Sequence, residues 1–266
     1  MIRTFSVFAA VAVFAAGCTS PPAPLPPRAV LDGVPAIVQN EPAYCAPATM
    51  ARAMAFAGSP VPQDVLAACG GSTAERGSDV AAFYRALEPL LDEKGVRLRP
   101  IVSVDPVRAF SLARAYNRLA GRRGVPRLSV PDEFVPSTVD LGLLFGHADP
   151  ALLREASEPR RSAFERNVVR EISGGRPLLW GVVLGVVPEP NVEERSRAGH
   201  LRLIVGYDDG GATVLYSDPW GPDCPVKRMS SADACAITQS LHVLEPSVRR
   251  GRRPCSKKVL ENGMRL

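Results

Sequence analysis

Gln39-Asn-Glu-Pro-Ala-Tyr-Cys45-Ala-Pro-Ala-Thr-Met50 is the stretch from which the fold is best read. A Gln stands six residues before a Cys, and the Cys opens an apolar helical run from Ala46 to Ala57 that Gly58 closes. A thiol at a helix N-terminus meets the positive end of the dipole and unpaired backbone N–H groups, so its thiolate is favoured. The Gln39 amide and the Cys45 backbone N–H are two donors suited to an oxyanion. Far downstream lie Gly199-His200-Leu-Arg-Leu-Ile-Val-Gly206-Tyr-Asp208 and Tyr216-Ser-Asp218-Pro-Trp-Gly221. His200 is the candidate base and Asp218 the carboxylate that would orient it.

Around this stretch the chain divides in character. Val30 to Val38 is apolar and extended and leads into Gln39. After the Cys45 helix, Pro62 to Cys69 predicts a short second helix. Ser78-Asp79 predicts a helix start, with Val80, Phe83, Leu87 and Leu90 at helical spacing. Val96 to Val102 alternates as an edge strand does, and Asp105-Pro106 opens a helix ending near Gly121. Pro126, Pro131 and Pro136 punctuate a long loop with an apolar patch from Leu141 to Phe145; lid and packing roles both fit. Ala151 to Ala156 and Ser162 to Ser173 read as two helices. The second half is richer in strands. Pro177 to Val187 has the near-continuous apolar run of a buried strand. Leu201 to Val205 and Ala212 to Tyr216 flank the turn Asp208-Asp209-Gly210-Gly211, a hairpin signal. Val226 to Met229 and Leu241 to Leu244 add two more strands. Helices first and strands later is an α+β pattern.

These elements resemble the papain superfamily, in particular the bacteriocin-processing, double-glycine peptidase-like cysteine peptidases. The resemblance runs from about Val34 to Leu244. It rests on the Gln39-to-Cys45 step, Pro and Ala after the Cys, Gly-His before an apolar strand ending Gly-Tyr-Asp, and Asp-Pro-Trp-Gly after the next strand. It implies a papain-like fold in which the Cys helix packs on a C-terminal antiparallel sheet. It also implies Cys45 as nucleophile, His200 as general base and acid, Asp218 as orienter and Gln39 as oxyanion donor. The chain departs from the family pattern in Ala46, where Gly is usual, and in the long segment from about residue 122 to 174, which the family core does not require. His147 competes for the role of base but lies away from any clear strand; His242 belongs in the sheet. Trp220 either shields the His–Asp pair from water or simply packs.

The N-terminus reads as an export signal over residues 1–17. Arg3 is its only charge, and the apolar run from Phe5 to Ala16 is too short to span a bilayer, which takes about 20 residues. Ala15-Ala16-Gly17-Cys18 resembles a bacterial lipobox and makes Cys18 the candidate lipidation site; an ordinary cleaved signal is the other reading. Residues 18–29 are a Pro-rich tether, residues 30–246 the peptidase domain, and residues 247–266 a basic tail that either touches anionic lipid or polysaccharide or is simply solvated. The expected location is the bacterial envelope, on the periplasmic side of the outer membrane, or soluble export if Cys18 carries no lipid.

Six cysteines stand in the chain. With Cys18 and Cys45 assigned, Cys69, Cys224, Cys235 and Cys255 permit two disulfides in an exported protein, and the close pair Cys224 and Cys235 is the candidate bridge. Cys69 also fits a buried thiol. The formal net charge of +5 does not by itself point to nucleic acid, and no Cys/His cluster has metal-ligand spacing. The expected activity is peptide-bond hydrolysis of a peptide or protein, without a cofactor. A thioester-forming amidase or transglutaminase-like acyltransferase, and a non-catalytic envelope binding protein on the same scaffold, are the alternatives.

Overall fold

A computed structural model describes residues 25–130, 144–189 and 198–247. The export signal, Cys18, Cys255, residues 141–143 of the apolar patch and the basic tail beyond Ser247 lie outside those residues. The N-terminal part of the described chain supplies helices α1 (Cys45–Phe56), α2 (Gln63–Gly70), α3 (Val80–Glu93) and α4 (Pro106–Arg123). Asp79 caps α3 by accepting from the Ala82 N–H at 2.9 Å, and Asp105 caps α4 by accepting from Val107 at 2.8 Å. Helix α5 spans Pro150–Ser173 without a break, where two helices are expected from sequence. Its interior Pro159 and the residue whose carbonyl loses a donor, Glu155, are both exposed, so water can satisfy that group.

The sheet is antiparallel, in the order β2 (Val96–Val102), β7 (Thr238–Pro246), β3 (Leu178–Val183), β4 (Gly199–Asp208), β5 (Thr213–Ser217) and β6 (Val226–Ser230). The short strand β1 (Ala29–Val30) pairs with β4 at Gly206 and Tyr207, beyond the end of the β3 pairing. β2 is an edge strand, as its alternation predicts. The Asp209–Gly211 turn joins β4 to β5 as the expected hairpin.

Helices cover both faces of the sheet, which the expectation of one helical half did not contain. Leu179, Leu201, Leu203 and Val205 pack with Met50, Met54, Phe83 and Leu87 of α1 and α3. Leu178, Trp180, Val182, Ile204 and Tyr216 pack on the other side with residues of α4, α5 and α6 (Ser231–Ile237). This double burial explains why β3 is apolar at successive positions, since both of its faces are covered. Met50 and Met54 are fully buried, each contributing roughly 1.5–3 kcal/mol. Leu144 and Phe145, the described end of the apolar patch, pack into the α4–α5 cluster.

Two cysteine expectations are corrected. Cys224 and Cys235 are free thiols, not a disulfide. Cys224 precedes β6 and Cys235 lies on α6 beyond its far end, so five residues of extended strand separate them. At about 3.4 Å per residue this far exceeds the Cα separation a disulfide tolerates. Cys69 is exposed rather than a buried thiol, because the apolar side of α2 is carried by Leu66 and Ala67.

Candidate active site

Three connections bring distant segments together. Thr49, one turn along α1 from Cys45, donates its hydroxyl to the Leu201 carbonyl at 2.9 Å, fixing the helix against β4 beside His200. Arg52, a further turn on, is buried; its Nε donates to Pro35 O at 2.8 Å and its Nη2 to Ser217 Oγ at 2.8 Å. It thereby ties the same helix face to the residue before Asp218. The Gln39 N–H donates to Pro219 O at 3.0 Å, stitching the Gln39 loop to the Asp218 turn. Thr49 and Arg52 belong to no motif in the sequence. Their signal is present: they share the Cys45 face of an otherwise apolar helix.

Cys45 is the first residue of α1, where no intrahelical carbonyl reaches its N–H. Burial pushes the thiol up, but a hydrogen bond to His200, the charge of that ring, and the backbone N–H groups of Leu201 and Ala46 outweigh it. The net effect holds Cys45 below the ordinary thiol range. His200 is buried; its Nε2 lies 2.9 Å from Asp218 Oδ1, which leaves the other ring nitrogen for the thiol. Burial disfavours the imidazolium, yet the bonds to Asp218 and Cys45 and their charges raise its pKa above the usual value. Trp220 lies against the ring with centroids 4.0 Å apart and planes tilted by 31°, and also packs on the core.

Asp218 is fully buried and surrounded by cations. Besides His200, Arg202 Nε lies 2.8 Å from Oδ1 and Lys227 Nζ donates to Oδ2 at 2.7 Å. Burial opposes its ionisation, but the His200 bond and the Arg202 charge hold the carboxyl well below the ordinary carboxylate range. Arg202 is itself buried between the Trp180 and Tyr216 rings and gives Nη1 and Nη2 to the two carboxylate oxygens of Glu189, at 2.7 and 3.3 Å. The Tyr216 hydroxyl donates to Glu189 Oε2 at 2.7 Å. Glu189, Arg202 and Lys227 are not legible as site residues in sequence, because their importance depends on which segments meet.

The Gln39 amide faces its own loop. Its Nε2 donates to Glu41 O at 2.9 Å and Pro42 O at 2.6 Å, while Oε1 is buried with no partner. His147 is exposed in the turn before α5, and His242 sits in β7 with its ring 4.6 Å from that of Tyr84. The imidazole that hydrogen-bonds Cys45 is that of His200. Among the described residues no group of three or more His, Cys, Asp or Glu side chains is placed to hold a metal ion. No described helix is long and apolar enough to cross a membrane.

The linked thiol, imidazole and carboxylate have the chemistry of nucleophilic acyl transfer: a thiolate, a proton carrier and a group fixing that carrier's orientation. A model of the Peptidase_C39 like family matches residues 154–238. The matched stretch runs from α5 to the start of β7 and includes His200 and Asp218 but not Cys45. It supports a cysteine peptidase, in keeping with the mixed helix and antiparallel-sheet fold. No curated protein matches the chain.

Proposed function

We propose that this chain is a cysteine peptidase acting through Cys45, His200 and Asp218. The observation that carries the reading is the continuous chain of contacts from a thiol held below its ordinary pKa, through a buried imidazole held above its own, to a buried carboxylate. His200 takes the Cys45 proton, and Asp218 holds the ring in place. The thiolate attacks the scissile carbonyl, and His200 returns the proton to the leaving amine. Water, activated by His200, then hydrolyses the thioester. The oxyanion would lie at the Cys45 N–H. For Gln39 to be the second donor, its amide must release one of its two loop carbonyls.

The test is the pH dependence of Cys45 alkylation by iodoacetamide. Fast labelling well below the ordinary thiol pKa of about 8.5, lost in His200→Ala, is expected. An ordinary thiol profile in both proteins would overturn the triad. With a cleavable peptide, Cys45→Ala abolishes turnover in a folded protein. An added amine that captures the acyl group would move the assignment to an acyltransferase.

Anchoring to the envelope through lipid on Cys18 is part of the same proposal, supported by the Phe5–Ala16 run and the small residues before Cys18. Labelling by a palmitate analogue, lost in Cys18→Ala, is the expected result; unlabelled protein refutes it.

A further inference from the structure

Behind the triad lies a chain of buried and partly buried polar groups that the proposed mechanism does not use. Its members come from four segments: Arg202 from β4, Lys227 from β6, Glu189 from the loop after β3, and Tyr216 from β5. The contacts alternate in sign. Lys227 and Arg202 are positive on Asp218, and Glu189 is negative on Arg202. Arg202 and Glu189 have side chains with essentially no exposed surface. Removing such groups from water is costly, and buried ion pairs often add little net stability. Their geometry points instead to the one titrating group they share, the imidazole on the far side of Asp218.

We propose that Arg202, Glu189 and Lys227 are positioning residues that set the basicity of His200 by adjusting how much of the Asp218 charge it meets. The inference rests on the triad reading above. A bare Asp218 carboxylate would bind the imidazolium strongly and keep its proton from the leaving group. Arg202 and Lys227 draw on the same carboxylate and weaken that hold. Glu189 pairs with Arg202 and restores part of it. Other groups near the pair are the Cys45 thiol from α1, Arg52 from the same helix within electrostatic reach of Asp218, the buried Cys224 thiol and the Tyr216 hydroxyl. Among these neighbours, the contacts of Lys227 and Glu189 define two single changes of opposite sign.

Lys227→Met removes a positive charge and should raise the His200 midpoint. Glu189→Gln leaves Arg202 undercompensated and should lower it. The chain has only three histidines, so 13C-imidazole NMR resolves them and His200→Ala identifies the resonance. Titration of the full-length protein is expected to move the His200 midpoint by roughly half a unit or more, up in one variant and down in the other. Unchanged midpoints, or shifts of the same sign, in folded variants overturn the proposal. If Glu189→Gln does not fold, Lys227→Met carries the test alone. Its side chain is 18% exposed, and failure to raise the midpoint overturns the proposal. An ordinary alkylation profile for wild-type Cys45 would sink the triad instead, a result separable from the titration of His200.

Discussion

Arg202 follows His200 by two residues on β4, and both side chains reach the same oxygen of Asp218, at 2.8 and 2.9 Å. Alternate residues of a strand share a face, so the strand that presents the imidazole also presents a permanent cation to the carboxylate it meets. The candidate site is therefore more than a Cys–His–Asp arrangement. Asp218 is the junction of a buried imidazole and two positive side chains.

Asp218→Asn should cost both rate and stability. Activity is expected to fall by about two to four orders of magnitude, through loss of the correct imidazole orientation and charge. The neutral amide also leaves Arg202 and Lys227 without their carboxylate, which should lower stability by about 3–5 kcal/mol. Steady-state kinetics and denaturant unfolding measure the two effects separately. A variant as stable as wild type would show that the cations are not held by Asp218.

The buried imidazole of His242 makes stability sensitive to acid. Burial depresses its pKa to about 4, while an unfolded His titrates near the usual 6.5. The folded state therefore binds fewer protons between those values, and stability falls as pH drops from about 6.5 to about 4. The loss is on the order of 2–3 kcal/mol. His242→Phe should flatten this part of a melting-temperature profile. The lowered carboxyl of Asp218 acts in the same direction at still lower pH, so its contribution remains in that variant.

Reduction should leave the domain's stability unchanged. Cys224 and Cys235 are buried free thiols at opposite ends of β6. Melting with and without dithiothreitol should coincide, and a non-reducing digest should contain no Cys224–Cys235 peptide. Finding that peptide would mean β6 does not lie where the sheet puts it.

Gly206 admits the close approach of β1. A Cβ there would stand 2.7 Å from the Ala29 carbonyl oxygen and 3.1 Å from a methyl of Leu215. Gly206→Ala should cost about 1–3 kcal/mol and push β1 outward. The Leu31 N–H, which donates to Val205 O at 2.8 Å, is the reporter. Its hydrogen exchange should accelerate more than that of the β3–β4 ladder.

Thr49→Val keeps the shape of the side chain but removes the bond to Leu201 O. Leaving that buried carbonyl without its donor should cost about 1–2 kcal/mol. Because Thr49 joins the Cys45 helix to β4 next to His200, the variant should also slow Cys45 alkylation near neutral pH.

Local signals in the sequence determined the Cys45 helix, the His200 strand, the Asp218 turn and the β4–β5 hairpin. Each is written in consecutive residues, as an apolar period, a capping Asp or a Gly-rich turn, and so could be recognised without knowing its neighbours. Only the tertiary structure decided which segments those elements meet. β7 inserts between β2 and β3, α5 continues through Pro159, and helices close over both faces of the sheet. Periodicity reports that a face is buried but not what buries it. Arg202, flanked by two leucines, has the alternation of a charged residue on a solvent face, yet it is fully buried because Glu189, Trp180, Tyr216 and Asp218 converge on it. A buried charge is stable only with its partners in place. Those partners are spread from residue 180 to residue 218, and only folding brings them together.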